Sequence, residues 1–156
     1  VKDSFSRELA RGLLRIEYVS LEELSGYALS RNTQDMQTYA SQDLLTKAAG
    51  GADTAVFYHL GWSGTFGEQR NDADMQQKNV EYTLDAVRLA KRLGCVHFIG
   101  VGSQAEYGRF EVRLTPDTRT LPENEYGRAK LAAGIRSAEL CRGLGLRHSW
   151  VRVVSV

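Results

Sequence analysis

Tyr126 and Lys130 stand four residues apart, and Ser103 precedes the tyrosine by 23 positions. A separation of four on a helix puts two side chains on one face, about 5 to 6 Å apart at Cβ. An ammonium beside a phenol favours the phenolate, drawing its pKa from ~10 toward a value useful for proton transfer. A serine hydroxyl delivered from a neighbouring strand end can hydrogen-bond the same substrate oxygen. Together the three make a proton relay for oxidising an alcohol or reducing a ketone. Tyr-x-x-x-Lys alone recurs by chance, so its context decides its meaning.

That context is an alternation of strands and helices. Residues 13–19 alternate and carry β-favouring side chains, which predicts a strand. Residues 41–49 suit a short helix stopped at Gly50-Gly51, and the run at 54–60 is apolar enough for a strand covered on both faces. Asp72 or Asn71 can cap a long helix reaching Leu93, with Val80, Leu84, Val87 and Ala90 on its apolar stripe. Glu81, Asp85, Arg88 and Arg92 share the opposite side, which reads as a solvated face. A second apolar strand follows at 95–101, then a turn-rich loop, a helix from Asn124 to Leu144 and a last strand from Ser149. This order predicts an α/β fold: a partial doubly wound, Rossmann-like parallel sheet with right-handed crossovers and helices on both faces. In such sheets ligands bind at the carboxyl ends of the strands, where Ser103 and Tyr126 would meet.

Composition excludes several alternatives. The 156 residues carry 20 Lys and Arg against 19 Asp and Glu, for a net charge of +1, without the basic surplus that nucleic-acid binding requires. Apolar runs of about eight residues fall short of the roughly 18 to 20 needed to cross a bilayer. No charged-then-apolar leader opens at Val1. Cys95 and Cys141 both sit in apolar patterns, which suits small core residues in a reducing, cytoplasmic setting. His59 and His97, inside apolar strands, read as satisfied core histidines and not metal ligands, and His148 as a surface residue. Glu106 reads either as a substrate contact or, the favoured reading, as a loop-surface acid, and Arg152, odd in a buried strand, is assigned no role.

From Asp53 to Val156 the chain resembles the NAD(P)-dependent epimerase/dehydratase family, the extended short-chain dehydrogenases/reductases that act on nucleotide-sugars. The resemblance rests on Phe-Tyr-His-Leu-Gly-Trp at 57–62, Asn79-Val-Glu-Tyr-Thr83, Phe98-Ile-Gly-Val-Gly-Ser103-Gln-Ala-Glu-Tyr-Gly108, Pro122-Glu and Tyr126-Gly-Arg-Ala-Lys-Leu131. It implies Ser103, Tyr126 and Lys130 as the catalytic triad, with Tyr126 and Lys130 also touching the cofactor and Lys130 holding the nicotinamide ribose. It further implies Leu60, Gly61 and Trp62 along an NAD or NADP cofactor, Asn79 as a support from the helix, and Ser103 and Gln104 toward a nucleotide-sugar substrate. A homodimer through the helices at 72–93 and 124–144 belongs to the same implication. Dehydratases of the family place an Asp-Glu pair where Gln104 and Ala105 stand, which favours epimerisation or ketone reduction.

One departure lies upstream. The family opens with a strand, a Gly-rich loop and a helix whose N–H groups bind pyrophosphate, and no such unit precedes the strand predicted at 13–19. Gly100-x-Gly102-x-x-Ala105 and Gly61-x-x-Gly64-x-x-Gly67 imitate its spacing. The first is followed by no helix, and in the second Trp62 and Phe66 crowd places where backbone would approach phosphate. The second is better explained as a loop lining the ligand crevice. Residues 1–156 therefore read as an incomplete NAD(P)-binding domain, the middle of a larger enzyme and inactive in isolation. The competing expectation is a non-catalytic binding or interaction module on the same fold, a role the fold alone permits.

Overall fold

The computed structural model describes residues 55–111 and 113–154. The strand expected at 13–19 and the helix expected at 41–49 lie outside them. The described elements are β1 (Val56–His59), a 3-10 turn (Gly67–Asn71), α1 (Ala73–Arg92), β2 (His97–Ser103), a second 3-10 turn (Gln104–Glu106), α2 (Glu125–Leu144) and β3 (Arg147–Val153). The three strands are parallel in the order β1-β2-β3. Val56 is paired with His97 in register, and Ser103 with Val153.

Local chemistry sets the helix ends. The Asp72 carboxylate accepts from Met75 N–H at 3.0 Å, and the Asn124 side-chain oxygen accepts from Gly127 N–H at 2.8 Å. Each satisfies a donor that a first helical turn leaves without an intrahelical partner. At the other end of α2, Gly145 takes φ +68, and Leu146 N–H reaches back to the Cys141 carbonyl at 2.9 Å. Glycine adopts that left-handed backbone without a Cβ penalty. Gly143 lies inside α2 and does not break it.

Among the described residues both helices lie on one face of the sheet, against Phe57, Phe98, His148 and Trp150. Val56, Tyr58, Val151 and Val153 on the other face are exposed, and no described helix covers them. The core joins Ala86, Val87, Leu89 and Ala90 of α1 to Phe98 of β2 and Cys141 of α2. Across the strands runs an aromatic ladder. Phe57 stacks on Phe98 at 5.8 Å, Phe98 on His148 at 6.0 Å, and His148 on Trp150 at 6.4 Å between centroids.

Several boundaries and surfaces differ from expectation. The second strand starts at His97 because Cys95 N–H closes the helix end on the Ala90 carbonyl, and it runs on to include Ser103. The last strand starts at Arg147, the partner of His97. Asp85 is fully buried and paired with Arg88 at 2.9 Å, so the charged face of α1 is not simply solvated. A carboxylate out of water requires such partners. His148 is not a surface residue. It lies between two aromatic rings, with Nε2 at 2.9 Å from Ser137 Oγ.

Candidate functional site

The carboxyl ends of the three strands converge as a parallel sheet requires. At the end of β2, Ser103 begins a tight turn. Its Oγ accepts from Ala105 N–H at 3.2 Å, while its own N–H donates to Glu106 Oε1 at 2.8 Å. This reciprocal pairing is a capping box that fixes the serine backbone. The first turn of α2 packs directly on that turn, since a Cβ at Gly127 would strike the Ala105 carbonyl oxygen. The glycine between Tyr126 and Arg128 is therefore what lets the tyrosine-bearing helix approach the serine-bearing turn.

Tyr126 and Lys130 are both buried, on the α2 face turned to the strand ends. The Lys130 Nζ donates to the Val101 carbonyl at 2.7 Å and lies 3.8 Å from the centre of the Trp62 ring. It is 5.9 Å from the centre of the Tyr126 ring. The spacing of four thus gathers tyrosine and lysine on one face as expected, but the ammonium sits closest to the indole. Burial pulls the Lys130 pKa down to about 8, and the charge of Glu106 works against that fall.

The end of β1 supplies Leu60, Gly61 and Trp62. Leu60 is exposed, whereas Trp62 packs edge-on against Tyr126, with centroids 6.1 Å apart. Two amides of α1 hold this loop. Gln76 accepts from Trp62 Nε1 at 2.9 Å and donates to the carbonyls of Gly64 and Gln69 at 2.9 and 3.0 Å. Asn79 makes a matched pair of bonds with the Ser63 backbone, at 3.0 and 2.9 Å. Its side chain is thereby committed to the loop and supports the site only through it. Gly64 has φ +69, and a Cβ there would lie 2.7 Å from Met75 Sδ, so both backbone and space call for glycine. The loop carries Arg70 over the Tyr126 ring, 4.3 Å from its centre, with Nη1 donating to the Thr65 carbonyl at 3.0 Å. An Arg over an aromatic face is an attractive contact.

The end of β3 corrects two sequence expectations. Glu106 is fully buried, and Arg152, left without a role in the sequence reading, donates to it at 2.6 Å and to the Tyr107 hydroxyl at 3.2 Å. The glycines of the first imitation motif also have another explanation. A Cβ at Gly100 or Gly102 would collide with the Trp150 indole, so these residues make room for an aromatic side chain and not for phosphate. His59 is a buried core histidine with Nε2 at 3.1 Å from Thr83 Oγ1. Burial and then the Lys130 charge push its pKa down to about 4, leaving the ring neutral at neutral pH. Gln104 follows Ser103 on the exposed side of the turn.

Gln76, Arg70 and the Glu106–Arg152 pair were not read as site residues from the sequence. A signal for the first was present: Gln76, Asn79 and Thr83 place polar groups at helical spacing beside the apolar stripe of α1, and all three are buried.

Comparison with known proteins now bears on this arrangement. The model of the NAD dependent epimerase/dehydratase family matches residues 16–156. The chain belongs to that family. Among solved structures this epimerase/dehydratase chain is similar to the UDP-glucose 4-epimerase from Brucella ovis in complex with NAD. That match has 26% identity and a TM-score of 0.59 over 71% of this chain and 34% of the other. The UDP-Glc/GlcNAc 4-epimerase from Campylobacter jejuni matches over 97% of this chain and 42% of its own, at 17% identity and a TM-score of 0.59. The UDP-glucuronic acid 4-epimerase from Bacillus cereus in complex with NAD matches at 21% identity and a TM-score of 0.56, over 69% of this chain and 34% of its own. The likeness establishes a Rossmann-like fold, and the epimerase/dehydratase chain spans about a third to two-fifths of these enzymes' lengths. No curated protein sequence matches it. Among the described residues no helix is long and apolar enough to cross a membrane.

Proposed function

We propose that this protein is an NAD-dependent epimerase or reductase of a nucleotide-linked sugar, with Tyr126 as the acid/base. The observation that carries the reading is the burial of Tyr126 and Lys130 one turn apart at the strand ends, against the turn begun by Ser103. Family membership and the likeness to UDP-sugar 4-epimerases support the same class.

The described residues suit the nicotinamide end of a dinucleotide. Lys130 offers three N–H donors and, among the described residues, has one oxygen acceptor, the Val101 carbonyl, so donors remain for the hydroxyls of a ribose. Leu60, Gly61 and Trp62 would flank the cofactor at the neighbouring strand end. A bound NAD supplies reversible hydride acceptance at the sugar carbon. Tyr126 removes the proton of the reacting hydroxyl through its phenol oxygen and returns it. Ser103 orients that hydroxyl, and Lys130 favours the deprotonated phenol by its charge. Gln104 and Ala105, in place of an acidic pair, leave water elimination without its carboxylates and favour epimerisation or reduction.

The test is Tyr126→Phe in the full-length protein supplied with NAD and a UDP-sugar. Turnover is expected to fall by about 10² to 10⁴, with NAD affinity measured by calorimetry held within a few fold. Wild-type turnover in the variant would overturn the assignment.

A further inference from the structure

Glu106 has no counterpart among the residues given a chemical role, yet it is the most heavily engaged carboxylate near the site. It is fully buried, and its oxygens accept three donors. Oε1 receives Ser103 N–H at 2.8 Å and Trp150 Nε1 at 3.0 Å, and Oε2 receives Arg152 Nε at 2.6 Å. These donors belong to two adjacent strands, so one carboxylate ties the Ser103 backbone to β3. A charge this far from water is costly, and apolar packing of equal volume often holds a fold as well. Its presence calls for a reason beyond cohesion.

Lys130 supplies that reason. The ammonium is buried, hydrogen-bonded to a neutral carbonyl and stacked on an indole, and among the described residues no carboxylate lies within ion-pair distance of it. The titratable groups that face or act on it come from neighbouring elements: Tyr126 on its own helix, His59, a neutral imidazole, on β1, and Glu106 on the turn after β2. Arg70 and Arg152 stand one contact further out, over the Tyr126 ring and on Glu106. Glu106 is the one carboxylate among these described groups.

We propose that Glu106 is a positioning residue for the Ser103, Tyr126 and Lys130 constellation. It fixes the Ser103 backbone two residues from the Val101 carbonyl that Lys130 holds, and so carries a negative charge on the strand end that anchors the ammonium, without touching substrate. The inference rests on the roles given to those three residues above. Its electrostatic half agrees with the Lys130 pKa, which burial pulls to about 8 and which the Glu106 charge holds up.

In the full-length protein, the experiment compares wild type with Glu106→Gln, and Arg152→Gln with Glu106→Gln/Arg152→Gln, so that each pair differs in the Glu106 charge alone. Circular dichroism establishes that each is folded, and the second pair carries the test if Glu106→Gln by itself is not. Lys130 is titrated by NMR of 13Cε-labelled lysine, with Lys130→Met to assign its signal. The pH profile of kcat is recorded with NAD and UDP-glucose. The Lys130 midpoint is expected to fall by about half a pH unit or more. The basic limb of kcat should move with it, and kcat should drop more than KM rises. A folded pair whose two Lys130 midpoints coincide overturns the proposal. If that midpoint moves while wild type is inactive on the UDP-sugar, the nucleotide-sugar reading fails and the role of Glu106 stands. If wild type turns over and the midpoint does not move, the reverse holds.

Discussion

Replacing Lys130 by methionine tests the electrostatics of the site through stability alone. The lysine is 5% exposed, and its pKa falls from 10.5 to about 8, chiefly because burial penalises the charged form. At about 1.4 kcal/mol per tenfold change, that fall is worth about 3 kcal/mol between the protonation states. Below about pH 8 both folded and unfolded chains hold the proton, and the full penalty of a buried ammonium weighs on the native state. Between about 8 and 10.5 the unfolded chain holds the proton and the folded chain does not, so stability rises with pH. Methionine in that position has nothing to titrate. The assay is urea unfolding of wild type and Lys130→Met, followed by circular dichroism from pH 7 to 10.5. Cys141, whose thiol burial pushes up to about 11, destabilises the native state in this range, but it is common to both proteins and cancels in their difference. Wild type should gain up to about 3 kcal/mol on the variant as the pH rises. A difference that stays flat, or that moves the other way, would refute the argument that burial governs this lysine.

Two further outcomes follow from the geometry. Gly127→Ala drives a Cβ into the Ala105 backbone carbonyl and to 3.0 Å from Pro122 Cβ, where main chain cannot easily yield. It should cost about 1 to 3 kcal/mol in urea unfolding and lower kcat by moving Tyr126 away from the Ser103 turn, whereas wild-type values for both would refute the close approach. Gln76→Ala removes the acceptor of Trp62 Nε1 and the donor to two loop carbonyls. Stability should fall by about 2 kcal/mol, and acrylamide should quench the tryptophan fluorescence more efficiently; unchanged quenching would show that the loop does not depend on this amide.

The alternation of apolar runs with helical patterns was legible because burial imposes a period on local sequence. β1, β2 and both helices lie within two residues of where that period puts them. The cap of α1, expected at Asp72 or Asn71 and found at Asp72, was legible for the same local reason, since a side chain three residues from the N–H it accepts needs no distant partner. Glu106 was misread as a surface acid because two of its three partners are 44 and 46 residues away, and nothing in Gln-Ala-Glu-Tyr-Gly announces Trp150 or Arg152. Arg152 was left without a role and His148 was read as a surface residue for the complementary reason: a polar side chain in a strand becomes intelligible only with the neighbour that satisfies it.

By itself the sequence determined the order of the described strands and helices and the pairing of Tyr126 with Lys130 on one helical face, both properties of short-range spacing, while its motifs carried the resemblance to the family. Only the tertiary structure decided where the Lys130 ammonium points, why Gly100 and Gly102 are small, and that Glu106 is buried beneath Ser103. The physical reason is that the cost of a buried charge or a crowded Cβ depends on which atoms from other elements fill the space around it. Those atoms are brought together by the parallel register of β2 and β3, which sets Gly102 beside Arg152 and Ser103 beside Val153.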